Sequence, residues 1–155
     1  MAIADLDKDG RLDVVISNNN ATPTIYLNRL PLTGNWFRCN LVGAAGKAGA
    51  NRDALGSRVI VRITAGGSER RIVRWVEAGC GYAAQSEGNL HFGLGDAKAL
   101  EGLTIAWPSG VTQEIAATEL QGLVNRECTI MEGRGIIPTP RPAGEGTTTA
   151  EVPAR

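Results

Sequence analysis

The sequence predicts an all-β fold, a β-sandwich or barrel-like domain preceded by a separate hairpin, and three observations carry that reading. Short runs rich in β-branched residues recur along the chain, each bounded by glycine, proline or asparagine. The 20 glycines are scattered between these runs instead of forming one block, as tight turns between strands require. In the run Arg58 to Thr64, Val59, Val61 and Ile63 alternate with Arg58, Ile60 and Arg62, so one face turns inward and the other outward, with Ile60 the exception.

Taken in order, Val14 to Ser17 and Thr24 to Leu27 read as two strands joined by the polar turn Asn18-Asn19-Asn20. A turn-forming linker, Leu30 to Asn35, leads to a strand from Trp36 to Val42. Further strands are expected at Arg58 to Thr64, Arg70 to Val76, Leu90 to Gly93, Leu103 to Trp107, Thr112 to Ile115 and Glu127 to Met131. The one helix-compatible stretch, Ala116 to Leu123, is short and holds Gly122, so it predicts a turn or a single helical turn. From Ile136 onward, Pro-Thr-Pro-Arg-Pro and then glycine, threonine and alanine offer little apolar surface to bury, and a flexible spacer is expected. The organisation is therefore a hairpin over 1–32, a β domain over 33–134 and a tail over 135–155.

Composition excludes several classes. With 16 basic against 16 acidic side chains the chain lacks the positive excess of nucleic-acid binders. No apolar run reaches the length of a membrane helix, and the N-terminus has no signal-peptide pattern, so an exported protein would carry its signal elsewhere. Cys39, Cys80 and Cys128 form no CxxC pair. Cys39 and Cys128 each fall in a strand, and either a disulfide between them or two free core thiols fits that placement.

The strongest chemical signal is Asp5-Leu-Asp7-Lys-Asp9-Gly10-Arg11-Leu-Asp13. Calcium takes about 6–8 oxygen ligands, and carboxylates at loop positions 1, 3, 5 and 9 with a carbonyl at position 7 can surround it. Asp5, Asp7, Asp9 and Asp13 occupy the carboxylate positions, and the carbonyl belongs to Arg11. Gly10 permits the sharp reversal. Ile16 stands at the twelfth position and cannot ligate, which excludes an EF-hand. Magnesium, with its strict octahedral demand, fits such a loop less well. The alternative is an aspartate-rich surface turn that satisfies its own backbone, but four carboxylates this close repel one another without a cation.

Other candidates are weaker. Arg58, Arg62, Arg70, Arg71 and Arg74 gather on two adjacent strands, and Arg58, Arg62, Arg70 and Arg74 would hold an acidic glycan if they shared a face, against the alternative of a solvated face balanced by Glu69 and Glu77. Trp36, Trp75 and Trp107 would stack sugars or pack the core. His91 is the sole histidine; a hydrolase-like triad would need Cys80 or Ser86 beside it, and a packed, hydrogen-bonded histidine is the simpler account. No phosphate-binding glycine motif is present.

The stretch from Ile3 to Asn18 resembles the FG-GAP or VCBS repeat, whose units form propeller blades with a calcium loop between strands, and the likeness spans residues 1–29. It implies calcium at Asp5, Asp7, Asp9, Asp13 and the Arg11 carbonyl, on a single propeller-blade-type hairpin. Residues 35–132 resemble the ASPIC/UnbV domain, which follows such repeats in secreted proteins. The motifs are Asn51-Arg52, Leu55-Gly56-Ser57-Arg58-Val59, Gly79-Cys-Gly81-Tyr82-Ala-Ala-Gln85, His91-Phe92-Gly93-Leu94-Gly95 and Trp107-Pro108-Ser109-Gly110. The sequence departs from that pattern at Cys80, where a small residue such as serine is commoner, and in having one repeat unit. Together these readings predict a calcium-stabilised, extracellular adhesion or self-assembly module without catalytic activity. Its partner would be another protein or a second copy, joined by strand addition; an acidic-glycan-binding module is the alternative and a hydrolase the remote one.

Overall fold

Alternation of apolar and polar side chains resolves into three open sheets in the computed structural model, which describes residues 1–46 and 48–137. The first sheet is antiparallel, in the order β1 (Ala2–Ala4), β2 (Asp13–Ile16) and β3 (Thr24–Tyr26). The second holds β4 (Asn35–Val42), β7 (Leu90–Gly95), β10 (Arg126–Met131) and β11 (Gly135–Ile137), in the order β11-β10-β4-β7. The third is an antiparallel sheet of β5 (Arg58–Ala65), β6 (Ser68–Trp75), β8 (Gly102–Ala106) and β9 (Thr112–Ala116), in the order β6-β5-β8-β9.

The second and third sheets form a sandwich, as the predicted fold class requires, and no sheet closes into a barrel among the described residues. Phe37, Cys39 and Leu41 of β4, Phe92 and Leu94 of β7, and Cys128 and Ile130 of β10 meet Val59, Val61 and Ile63 of β5, Leu103 and Ile105 of β8 and Ile115 of β9 in one core. Each large aliphatic or aromatic side chain so buried contributes about 1.5–3 kcal/mol. The predicted alternation of β5 is realised, with Val59, Val61, Ile63 and Ala65 inward.

β4 and β10 pair in parallel, although 83 residues separate their ends in sequence, and all other ladders are antiparallel. That ladder sets Cys39 directly beside Cys128, and both are buried free thiols, the second of the two arrangements that the sequence left open. Burial pushes the Cys39 thiol well above its ordinary range, and burial followed by the Glu127 charge pushes Cys128 up to about 12. In the folded state the pair therefore packs as two small apolar groups and resists the thiolate chemistry that makes a disulfide.

Two short strands escaped the sequence reading. β1 makes the predicted hairpin a three-stranded sheet, and β11 takes Gly135–Ile137 from the expected tail. The remainder of that tail lies outside the described residues. Of the stretch Ala116 to Leu123, Ala116 ends β9 and residues 117–122 form turns, with Leu120 anchored in the core.

Candidate metal centre

The loop between β1 and β2 is organised by its own carboxylates. Asp5 accepts the backbone N–H groups of Asp9 at 3.1 Å and of Gly10 at 3.0 Å, and Asp13 accepts those of Leu6 at 2.9 Å and Asn28 at 2.8 Å. Those two backbone bonds, from Asn28 and then Leu6, hold the Asp13 carboxyl below its usual range. Lys8 and Gly10 adopt positive φ, 59° and 89°, which closes the loop on itself.

Oxygen atoms of Asp5, Asp7 and Asp13 converge within 4.8 Å of one another. These are three of the four predicted carboxylate ligands. Asp9 is turned aside: its carboxylate takes the backbone N–H of Arg11 and the Arg11 guanidinium. Arg29 pairs with Asp7 at 3.0 Å. Hard oxygen donors at this separation match the chemistry of a calcium site, so the donor set fits the ion.

The loop rests on the outer face of the second sheet. Arg38, from β4, is only 2% exposed because the loop covers it, and its Nη1 meets Asp5 at 2.7 Å while Nη2 pairs with Glu87 and stands 3.6 Å from Glu127. Glu87 in turn accepts the Asp5 N–H at 3.0 Å, its own N–H donates to the Ile3 carbonyl at 2.9 Å, and Ser86 accepts the Ile3 N–H at 3.2 Å. Beside this cluster Trp36 stacks on His91 at 6.2 Å, and His91 Nε2 lies 3.0 Å from the Gly10 carbonyl. Any Cβ at Gly10 would collide with the Trp36 ring. The first sheet is therefore seated on its own β domain.

His91 is thus a packing and docking residue. Desolvation lowers its pKa first, partly opposed by the Gly10 carbonyl. Cys80 and Ser86 lie 3.2 Å apart and face each other. Trp107 is buried, with its Nε1 donating to Gln113 at 3.0 Å, whereas Trp75 is 53% exposed, so the three tryptophans share no platform.

The arginine set also divides. Cross-strand register places Arg62 opposite Arg71 and Arg58 opposite Trp75 on the outer face, while Arg74 pairs with Val59 and Arg70 with Ile63 on the inner side. Arg74 lies 5.9 Å over the Phe92 ring and donates to the His91 carbonyl at 3.3 Å, covering an open edge of the core. The predicted face of Arg58, Arg62, Arg70 and Arg74 is thereby corrected to Arg58, Arg62 and Arg71.

Sequence reasoning missed Arg38, Glu87 and Glu132. Glu132 is 7% exposed; its Oε2 accepts the N–H groups of Ala44 at 2.9 Å and Ala50 at 2.7 Å, and its Oε1 takes the Ser109 hydroxyl. Burial raises its pKa, but Ser109 and then the two amides outweigh that and lower it. One signal existed for Arg38: an arginine set between the apolar residues Phe37 and Cys39 in a strand.

The two-sheet sandwich defines a domain class, and comparison with known proteins identifies it. Residues 46–136 match the family described as ASPIC and UnbV, and the chain belongs to that family. It is similar to cartilage acidic protein 1 of Xenopus tropicalis, 32% identical over 129 residues, and to its counterparts in Mus musculus and Homo sapiens, each 29% identical over 127 residues. These matches cover 80%, 79% and 79% of the chain and 18% of each relative's length. The chain thus spans under a fifth of the curated relatives it matches.

Proposed function

We propose that the chain is a calcium-stabilised, non-catalytic interaction module of an extracellular protein, with residues 1–29 acting as an FG-GAP/VCBS-type unit. The observation that carries the reading is the convergence of Asp5, Asp7 and Asp13 within 4.8 Å in a loop fastened to the domain through Arg38. Asp5, Asp7 and Asp13 would hold the ion, and Asp9, paired with Arg11 in this structure, would have to leave that partner to join them with the Arg11 carbonyl. Bound calcium supplies positive charge that offsets carboxylate repulsion and ties the two ends of the loop together. The name of the cartilage relatives supports the extracellular setting.

The surface for assembly is the first sheet. β3 stands at the end of that sheet, and Ile25, Tyr26 and Leu30 are 60%, 59% and 72% exposed. An unpaired strand edge with apolar side chains accepts a further strand from another protein or a second copy.

Calorimetric titration of calcium into the metal-free protein tests the ion. Binding to the native state at a hundredfold excess over Kd adds about 2.7 kcal/mol and raises Tm by several degrees. Asp7→Asn is expected to remove that rise. Equal melting with calcium and with chelator in the wild type would overturn the calcium assignment. Light scattering in the same two conditions tests assembly, where an unchanged monomer in both is the failing result.

A further inference from the structure

We propose that the outer face of β5 and β6 is a binding strip for an acidic polysaccharide, with Arg62, Arg71 and Arg58 taking its anionic groups and Trp75 stacking on a sugar ring. Three cross-strand rows build the strip: Arg62 opposite Arg71, Ile60 opposite Val73, and Arg58 opposite Trp75. Rows two residues apart along a strand are about 7 Å apart, so the strip extends about 13 Å from the arginine pair to Trp75. Such a span suits a run of linked rings better than a single small anion.

Arg62 and Arg71 stand opposite each other in the ladder, with the Arg62 guanidinium leaning over β8 and so relieving the repulsion that like charges directly opposite would meet. Among the described residues neither Arg58 nor Arg62 enters an ion pair, and Arg71 has only a long contact of 3.7 Å with exposed Glu69. The other acidic groups stand at the margins: Glu101 is occupied by the Thr64 hydroxyl, and Glu114 lies on β9, beyond β8.

Gly102 leaves room on β8 for the Arg62 guanidinium. It is buried, its φ is not in the left-handed region, and no turn demands glycine there, but any Cβ would collide with the Arg62 guanidinium. Its missing side chain seats that guanidinium against β8, half-buried and ready for a bidentate contact with sulfate or carboxylate. Trp75, at 53% exposure, has a face free for the hydrophobic side of a pyranose.

Because the chain carries no net charge, retention by a polyanion cannot come from bulk attraction. The strip lies on the opposite side of the sandwich from the Asp loop, so this inference and the calcium reading can fail separately. The test is the affinity of the full chain for a heparin oligosaccharide, with folding followed by thermal melting. Arg62→Gln with Arg71→Gln is expected to weaken binding about tenfold. Gly102→Ala, which leaves the charge alone, is expected to weaken it in the same direction, and the charge-matched control Arg52→Gln with Arg134→Gln to leave it unchanged. Equal loss in the control, or wild-type affinity in the double variant, would overturn the site. Single-stranded DNA of matched charge binding as tightly as heparin would overturn the polysaccharide assignment.

Discussion

Three side chains have folded-state pKa values below their ordinary ones, and each therefore favours unfolding as pH falls. His91 has a lowered pKa because desolvation disfavours its charged form, so the unfolded chain takes up that proton first. Its contribution is present above the ordinary value of 6.5 and is lost as pH falls through it toward the lower folded value. Glu132 and Asp13 are also depressed, from 4.5 and 3.8, by hydrogen bonds that favour the carboxylate. Their stabilisation is present above those values and disappears as pH falls through the folded-state ones. Unfolding free energy measured against pH should therefore decline in two limbs, one beginning near 6.5 and one near 4.5. His91→Gln is expected to flatten the upper limb. Glu132→Gln is expected to flatten part of the lower one and to cost about 1–3 kcal/mol at neutral pH, since the amides of Ala44 and Ala50 lose a charged acceptor.

At the scale of elements, the tight acidic turn was legible because its spacing is local, with four carboxylates and a glycine within nine residues, but Asp9 turns to Arg11 and only Asp5, Asp7 and Asp13 converge. Most strands were legible for the same reason. β1 and β11 were not, since three residues hold no period and become strands only when β2 and β10 supply hydrogen bonds. The arginine face was misread because alternation fixes faces within one strand but not between two. The two-residue turn Gly66-Gly67, both at positive φ, pairs even positions with odd ones, which puts Arg62 beside Arg71 and leaves Arg70 and Arg74 across the sheet. Arg38 was hidden for a longer-range reason: an outward arginine reads as solvated until a separate element is laid over it. Gly10 is the element-level test of that seating. Gly10→Ala must bear a positive φ, at about 1–2 kcal/mol, and must also displace Trp36. A total loss above about 2 kcal/mol with altered tryptophan fluorescence is expected; a near-neutral result would mean that the loop does not rest on Trp36.

At the scale of the whole molecule, the question is whether the first sheet and the sandwich unfold together. A three-stranded sheet of such short strands is marginal alone, so its order has to come from the domain beneath it. The link is concentrated in few groups: the Arg38 guanidinium among Asp5, Glu87 and Glu127, the bond from Glu87 N–H to Ile3, and the contact of Gly10 with Trp36 and His91. One guanidinium serving three carboxylates is a poor net stabiliser against a hydrophobic substitute, but breaking it leaves Asp5 buried without its cation, at a cost of about 3–5 kcal/mol. The intact protein is therefore expected to unfold in one transition, with the amides of Asp9 and Gly10 protected from hydrogen exchange almost as well as those of β4. Arg38→Met should divide that behaviour: the loop amides lose protection and Asp5 no longer has a reason to stay buried, while the strands β5 and β8, which lie in the other sheet, keep theirs. Arg38→Lys, which preserves the charge without the fork, should fall between the two. Loop protection unchanged in Arg38→Met would show that backbone bonds to Glu87 and Ser86 suffice to seat the sheet. Uniform loss across all strands would show that Arg38 supports the sandwich itself and not the joint.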